Sequence, residues 1–467
     1  MSKNDNPVLR ILKLPPLPTE PLLRSTLQRI ITDAKTVRDN PSPTARSLAL
    51  NRAQGELKNI LDNIETIPQA ERKLIKDIAQ TWQKALLELT AEVGQVTITE
   101  PVKNPYTIGD PVVGKQFAGR EDIIRQLQEY WLLTNNPQSI VLYGHRRMGK
   151  TSILLNIANL LGAKVKLAYI NLLRVGSNPQ GVGEVLIAIT DAVAKEVNLE
   201  PPADRDLLNL PYRNFERYLN RVIDNLDGSL IVALDEFEKI ETLIANEKIP
   251  PDFMGFLRGM VQMNPKLAFA LAGLHTLDEM TEDYFHPFFA SIIPIRVGFL
   301  TLGATRQILA NPGDEDFLLD YEPEALDRIY ELTHGQPYLV QLAGFLLVRR
   351  YNELTFETGR PQKNIFTIKD VEAVIDNPDF YSHGRYYFTG VWDQAAQGAK
   401  GQQQILTALA PHEEEGLTLA ALSDATGIDT ASLQTALDTL DRHDVVKEND
   451  NRWQIAVELL RRWLLLG

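Results

Sequence analysis

The chain has 467 residues, 44% of them apolar, a net charge of −13 and no cysteine. These figures exclude a disulfide framework, thiolate metal sites and a cysteine nucleophile, and the acidic balance disfavours broad non-specific adhesion to nucleic acid. No apolar run nears the roughly 18 residues of a membrane span and MSKNDNPVLR lacks a signal core, so a cytoplasmic protein of about three domains is expected.

Residues 1–104 read as an N-terminal helical region. After a Pro-rich start, helical patterns near 20–38, 44–64 and 69–93 suit a small bundle, and in the third Leu74, Ile75, Ile78, Trp82, Leu86 and Leu87 recur at helical spacing and are expected to face inward. Residues 1–110 hold 15 Lys and Arg against 13 Asp and Glu and show no chemical motif. Their expected role is packing, self-association or the binding of a protein partner.

The stretch VKNPYTIGDPVVGKQ reads as a linker into an α/β core over residues 105–300. Gly119 and Arg120 stand just before a helix, 25 residues ahead of Gly144, where the chain would lie against the base or ribose of a nucleotide. The buried-type strand Ile140 to Tyr143 then runs into GHRRMGKTS, which reads as a phosphate-binding loop: Gly144, His145, Arg146, Arg147, Met148, Gly149, Lys150, Thr151 and Ser152. Its glycines let the backbone wrap an anion with N–H groups turned inward, Lys150 reaches the β and γ phosphates, and Thr151 offers a hydroxyl to Mg²⁺ at the positive end of a helix. ATP with Mg²⁺ is the expected ligand.

VKLAYINL (165–172) supplies a strand, and Phe215, Leu219, Val222, Ile223 and Leu226 mark one face of a helix. LIVALDEFEKI follows, with five apolar residues of a parallel-type strand ending in Asp235 and Glu236. Ligands bind at that edge of open α/β sheets. Asp235 is expected to hold Mg²⁺ through its water shell, and Glu236 to orient or deprotonate the attacking water. LAFALAG (267–273) is the next strand, its tip expected between the first and third strands, where His275 or Thr276 would hydrogen-bond the γ phosphate. IIPIRV (292–297) completes five strands, with Arg296 near its end as a phosphate or intersubunit contact.

From Thr301 the sequence turns helical, giving a helical lid over residues 301–380 that includes EPEALDRIYELTHG and QPYLVQLAGFLLVRRY. Thr367 and Asp370 form a capping-box pattern, and YYFTGVWD (386–393) brings aromatic residues to a last domain at 381–467. Residues 401–467 read as helix, helix, helix, hairpin, helix, a winged-helix pattern. Leu433, Ala436, Leu437 and Leu440 line the third helix, and Val445–Lys447 and Arg452–Ile455 flank the turn residues Glu448 to Asn451. This segment carries 5 Lys and Arg against 11 Asp and Glu, with only Arg442 on the helix that would enter a groove. Phosphate contacts supply most of the affinity for duplex, so DNA binding is possible but disfavoured.

FAGRE, GHRRMGKTS, LIVALDEFE, the strand ending AG-LHT, and HGQPYLVQL (334–342) in that order resemble the STAND and archaeal-type branch of AAA+ related P-loop ATPases, from about residue 105 onward. The resemblance implies an ATP-driven switch whose nucleotide state controls conformation or oligomerisation. It also implies an adenine side flanked by Gly119, Arg120, Gly335 and Pro337. Many members carry Ser or Thr followed by Arg at the sensor strand, where this chain has Gly273, Leu274 and His275. The rival expectation is a DNA-binding AAA+ ATPase of the origin-recognition or transposition-regulator kind.

Overall fold

The computed structural model describes residues 21–39, 43–93, 98–274, 292–313, 317–360, 362–397, 399–413 and 415–466. It divides into two compact units, one formed by Asp122–Gly298 and the other by Met1–Glu121 with Phe299–Gly467.

The Asp122–Gly298 unit is built on β1 (Ile140–Tyr143), β2 (Val165–Asn171), β3 (Ser229–Asp235), β4 (Leu267–Gly273) and β5 (Ile293–Arg296). All four pairings are parallel, in the order β2-β3-β4-β1-β5. The strands are near-continuous apolar runs, and every residue of β4 is buried, as a sheet covered on both faces requires. The amphipathic helix Pro211–Asp224 turns Phe215, Leu219, Val222 and Ile223 into this core, and Val182–Val197 adds Val185, Leu186, Ile189 and Val193. The crossover after β1 runs to the far edge of the sheet, so the chain leaving β1 and the chain leaving β3 end at the same carboxyl edge, with β4 between them. That is the position expected for the strand at 267–273.

In the other unit the helices Pro21–Asp39, Pro43–Asp62 and Gln69–Val93 enclose a small core of their own, with Leu27, Ile30, Leu57, Ile75 and Trp82 at its centre. Ile75, Ile78, Trp82 and Leu86 point inward as expected, but Leu74 and Leu87 are 44% and 58% exposed. Helical spacing identifies the buried face, and its width depends on the two neighbours that cover it. Inside this bundle Arg52 pairs with Asp33 and Arg29 with Glu56, each at 2.7 Å.

The bundle meets the helix Leu302–Ala310 through polar groups. Asn59 donates to Gln307 at 2.7 Å, Arg306 to Asp62 at 2.5 Å, and Thr301 to Asn63 at 3.2 Å. A second, larger apolar core runs without a break from Leu300 to Leu460. It gathers the helices Leu302–Ala310, Pro323–Thr333 and Pro337–Asn352, the capping-box helix Ile368–Ile375, and Arg385–Gln397, whose Phe388 stacks on Trp463.

The stretch around residue 105 is not the loose tether its Pro and Gly content suggests. Val102 and Tyr106 are buried in the larger core, Asn104 donates to the Phe345 carbonyl, and the Tyr106 hydroxyl lies 2.5 Å from the Leu309 carbonyl and 2.8 Å from the Tyr321 hydroxyl. One buried aromatic with satisfied polar ends is enough to seat a short segment that composition marks as linker.

The chain ends in the helices Gln402–Leu409, Leu419–Thr426 and Thr430–Arg442, an antiparallel hairpin of Val446–Asn449 and Arg452–Ile455, and the helix Glu458–Leu465. Leu433, Ala436, Leu437 and Leu440 are buried as expected. The first hairpin strand runs further than expected and takes in Glu448 and Asn449, leaving a two-residue turn. Asp450 and Asn451 in that turn have φ of 50° and 60°, the turn geometry that matches the twist of a hairpin. Among the described residues, no helix is long and apolar enough to cross a membrane.

Candidate active site

The loop leaving β1 is shaped by two glycines for different reasons. A Cβ at Gly144 would stand 2.3 Å from the Val297 carbonyl oxygen, because the chain leaving β5 stays paired with it through the bond from Val297 N–H to Tyr143 O. Gly149 has φ of 89° with open space where a Cβ would point, so the demand there is on backbone conformation alone. It is the N-cap of the helix Lys150–Ile157, whose first N–H groups have no helical acceptor. His145 and Met148 are buried, so what they can present to a ligand is backbone. Arg146 is exposed, and Arg147 holds a left-handed φ of 62°. Ser152 is packed into the helix, where its carbonyl accepts from Asn156.

Lys150 Nζ donates to the Gly144 and His145 carbonyls at 2.7 and 3.0 Å, which lays the ammonium across the loop. Burial lowers its pKa from the ordinary lysine value, against the opposing pull of Glu238, Glu236 and Asp235. The next residue joins the loop to β3: Thr151 Oγ1 donates to Asp235 Oδ2 at 2.7 Å. The same oxygen accepts from the Tyr169 hydroxyl on β2 at 2.8 Å, while Oδ1 accepts from the Glu236 N–H at 3.0 Å. Asp235 is 1% exposed, so three donors hold one buried carboxylate.

Glu236 has φ of 56°, a left-handed conformation that is costly for a residue with a side chain. The turn is held from both sides, by the Asp235 side chain and by the bond from Phe237 N–H to the Ala272 carbonyl on β4. Burial raises the Glu236 pKa from its ordinary value, Glu238 and Asp235 raise it further, and Lys150 and Arg146 work the other way.

These residues suit the groups expected of them. Thr151 and Asp235 offer hard oxygen donors of the kind Mg²⁺ takes, and the loop ending at Gly149 with Lys150 beside it suits a polyphosphate. Two further residues escaped the sequence reading. Tyr169 lies in an apolar strand pattern where a tyrosine reads as packing. Glu238 reads as an ordinary first-turn acid of the helix Glu238–Ala245, although the spacing Asp-Glu-x-Glu returns it toward the strand tip.

Gly119, Arg120, Gly335 and Pro337 belong to the other compact unit, where the first three converge on Phe299 and Leu300. Gly119 packs against Leu300 and Ala304, Arg120 reaches the Phe299 carbonyl at 3.5 Å, and the Leu300 N–H donates to Gly335 O at 2.8 Å. Pro337 opens the helix Pro337–Asn352 behind an N-cap from the Gln336 side chain. His275 and Thr276 lie outside the described residues.

A parallel sheet in this order, with a phosphate loop after β1 and acidic residues after β3, is a P-loop NTPase fold. No protein-family model and no curated protein matches the sequence. Among solved structures, a Walker-type ATPase of Pyrococcus abyssi is similar at 18% identity and a TM-score of 0.57, over 77% of this chain and 99% of that one. The ORC2 protein of Aeropyrum pernix, solved in ADPNP–ADP complexes, is similar at 15% identity and a TM-score of 0.50, over 78% of this chain and 97% of that one.

Proposed function

We propose that the chain is an ATPase of the AAA+ type that binds ATP with Mg²⁺ and hydrolyses it as a switch controlling its own conformation or assembly. The observation that carries this is the junction of loop and strand tip: Thr151 bonded to Asp235, with Asp235 in turn fixing the left-handed turn at Glu236. The loop N–H groups and Lys150 bind the phosphates. Asp235 holds Thr151 in place, and Glu236 orients water and takes its proton, aided by a pKa raised by burial. Mg²⁺, when bound, neutralises charge on the phosphate oxygens. Gly119, Arg120 and Pro337 are assigned to the adenine side, and His275 to the γ phosphate, on the family resemblance.

The switch reading draws on the N-terminal bundle, whose core is separate and whose contacts with the helix Leu302–Ala310 are polar. Such an interface can be released at less cost than an apolar one. Size exclusion with light scattering, run on Glu236→Gln with ATP and with ADP, tests this. A larger particle with ATP supports it, and one mass under both conditions leaves a constitutive ATPase. The DNA-binding reading has one observation in its favour, the three helices and hairpin at the C-terminus, which we read as a winged helix. Its charge of 5 Lys and Arg against 11 Asp and Glu stands against it. Duplex binding no tighter than about micromolar at physiological salt is expected. Nanomolar binding with a steep salt slope would favour DNA.

A further inference from the structure

One oxygen of the Glu238 carboxylate stands apart from the hydrogen bonds that hold this turn. This Oε2 is buried and has no hydrogen-bond partner among the described residues, which carries a desolvation penalty. It lies against the tip of β4, so close that a Cβ on Gly273 would stand 2.7 Å from it. The bond from Phe237 N–H to Ala272 O places the start of the helix Glu238–Ala245 beside that tip, at the carboxyl edge shared with the phosphate loop. Glu238 is also the strongest charge influence on Lys150 and on Glu236 alike, in keeping with its place at that edge.

We propose that Glu238 is a second acceptor for the attacking water, working as a pair with Glu236. This rests on the hydrolytic reading given above. Water has two hydrogens to donate, and a single carboxylate leaves it free to turn about the one bond it makes. Two acceptors fix both hydrogens and so aim a lone pair at phosphorus, which is the orientation term in catalysis. In the step itself the water oxygen bonds to the γ phosphorus, and the bond from phosphorus to the β–γ bridging oxygen breaks. ADP leaves with that electron pair, and the water's proton passes to Glu236 and then to the released phosphate. Glu238 accepts a hydrogen bond throughout.

The test compares wild type with Glu238→Gln, Glu238→Leu and Gly273→Ala in the full chain, reading phosphate release, ATP affinity by calorimetry, and thermal unfolding. Leucine removes the acceptor, and alanine at 273 displaces the carboxylate without removing it. Loss of kcat by at least about tenfold in Glu238→Leu is expected, with a smaller loss in the other two. ATP affinity is expected to stay within about twofold, and the unfolding midpoint to hold or rise, because a carboxylate oxygen buried without a partner among the described residues has been removed. A kcat for Glu238→Leu within about twofold of wild type overturns the proposal. So does a parallel fall of ATP affinity and unfolding midpoint, the signature of a structural acid. A wild-type chain that binds ATP and releases no phosphate overturns the hydrolytic reading with it.

Discussion

In the N-terminal bundle each of two buried acids has its own guanidinium, Asp33 with Arg52 and Glu56 with Arg29, whereas at the strand tips Asp235, Glu236 and Glu238 crowd one another. Lys150, the cation among them, gives its hydrogen bonds to two carbonyls. The bundle pairs each of these acids with a cation, although Glu56 Oε2 is left without a hydrogen-bond partner among the described residues. The strand tips keep negative charge in a half-buried space and hold a left-handed backbone to aim it. The two sets of acids thus differ in whether a guanidinium is bonded to each acid.

Substitutions sharpen that contrast in descending order of effect. Glu236→Gln should lower phosphate release by roughly 10² to 10⁴ while nucleotide still binds, read by single-turnover hydrolysis beside calorimetry. Activity within a few-fold of wild type would remove Glu236 from the reaction. Lys150→Ala should weaken nucleotide binding by about 30-fold or more, the cost typical of truncating one partner of a buried charged contact. An unchanged affinity would mean that the loop backbone alone carries the phosphates.

The bundle should respond in stability instead of activity. Glu56 titrates at about 6 in the folded chain because burial outweighs the pull of Arg29. The folded state therefore holds this proton more tightly than the unfolded one. The stability it contributes is full below the ordinary value of 4.5 and is lost as pH rises through 6. Glu56→Gln stays neutral throughout, so it should match wild type near pH 4 and exceed it by about 2 kcal/mol above pH 7, with hydrolysis unchanged. Denaturant unfolding at the two pH values checks this, and an advantage that is the same at both would refute it. Asp62→Ala should have the smallest effect, about 1 kcal/mol or less, because Arg306 keeps Asp327 as a partner. A melt that drops by more than about 5 °C would show the bundle and its neighbouring helix to be one cooperative body.

The loop, the strand after it and the acidic tip of β3 were legible because they are short apolar runs bounded by turn residues, with a fixed motif at each end. The place of β4 between β1 and β3 was legible too, since a crossover after β1 has few other solutions. Side-chain assignments that depend on packing were not. Periodicity placed Leu74 and Leu87 on an apolar face that proved narrower than the pattern, and composition read a tether where Tyr106 is a core residue. Glu238 was missed because the adjacent Asp-Glu pair accounts for the motif, and an acid in the first turn of a helix needs no further explanation. Its Oε2, without a partner among the described residues, and the nearness of Gly273 mark it out.

The seat of Tyr106 has a consequence for how the protein is made. Its partner carbonyl at Leu309 lies 203 residues further along, with the whole of the Asp122–Gly298 unit in between. At typical rates of translation, that span takes about 10 to 40 s to emerge from a ribosome. Through that interval Val102 and Tyr106 have been synthesised without the core that buries them, while the bundle ahead of them and the sheet behind them can each close on residues already made. The nascent chain is thus expected to fold first in the bundle and in the sheet, and its period of greatest exposure to chaperones and proteases ends only when the helix Pro337–Asn352 has been completed.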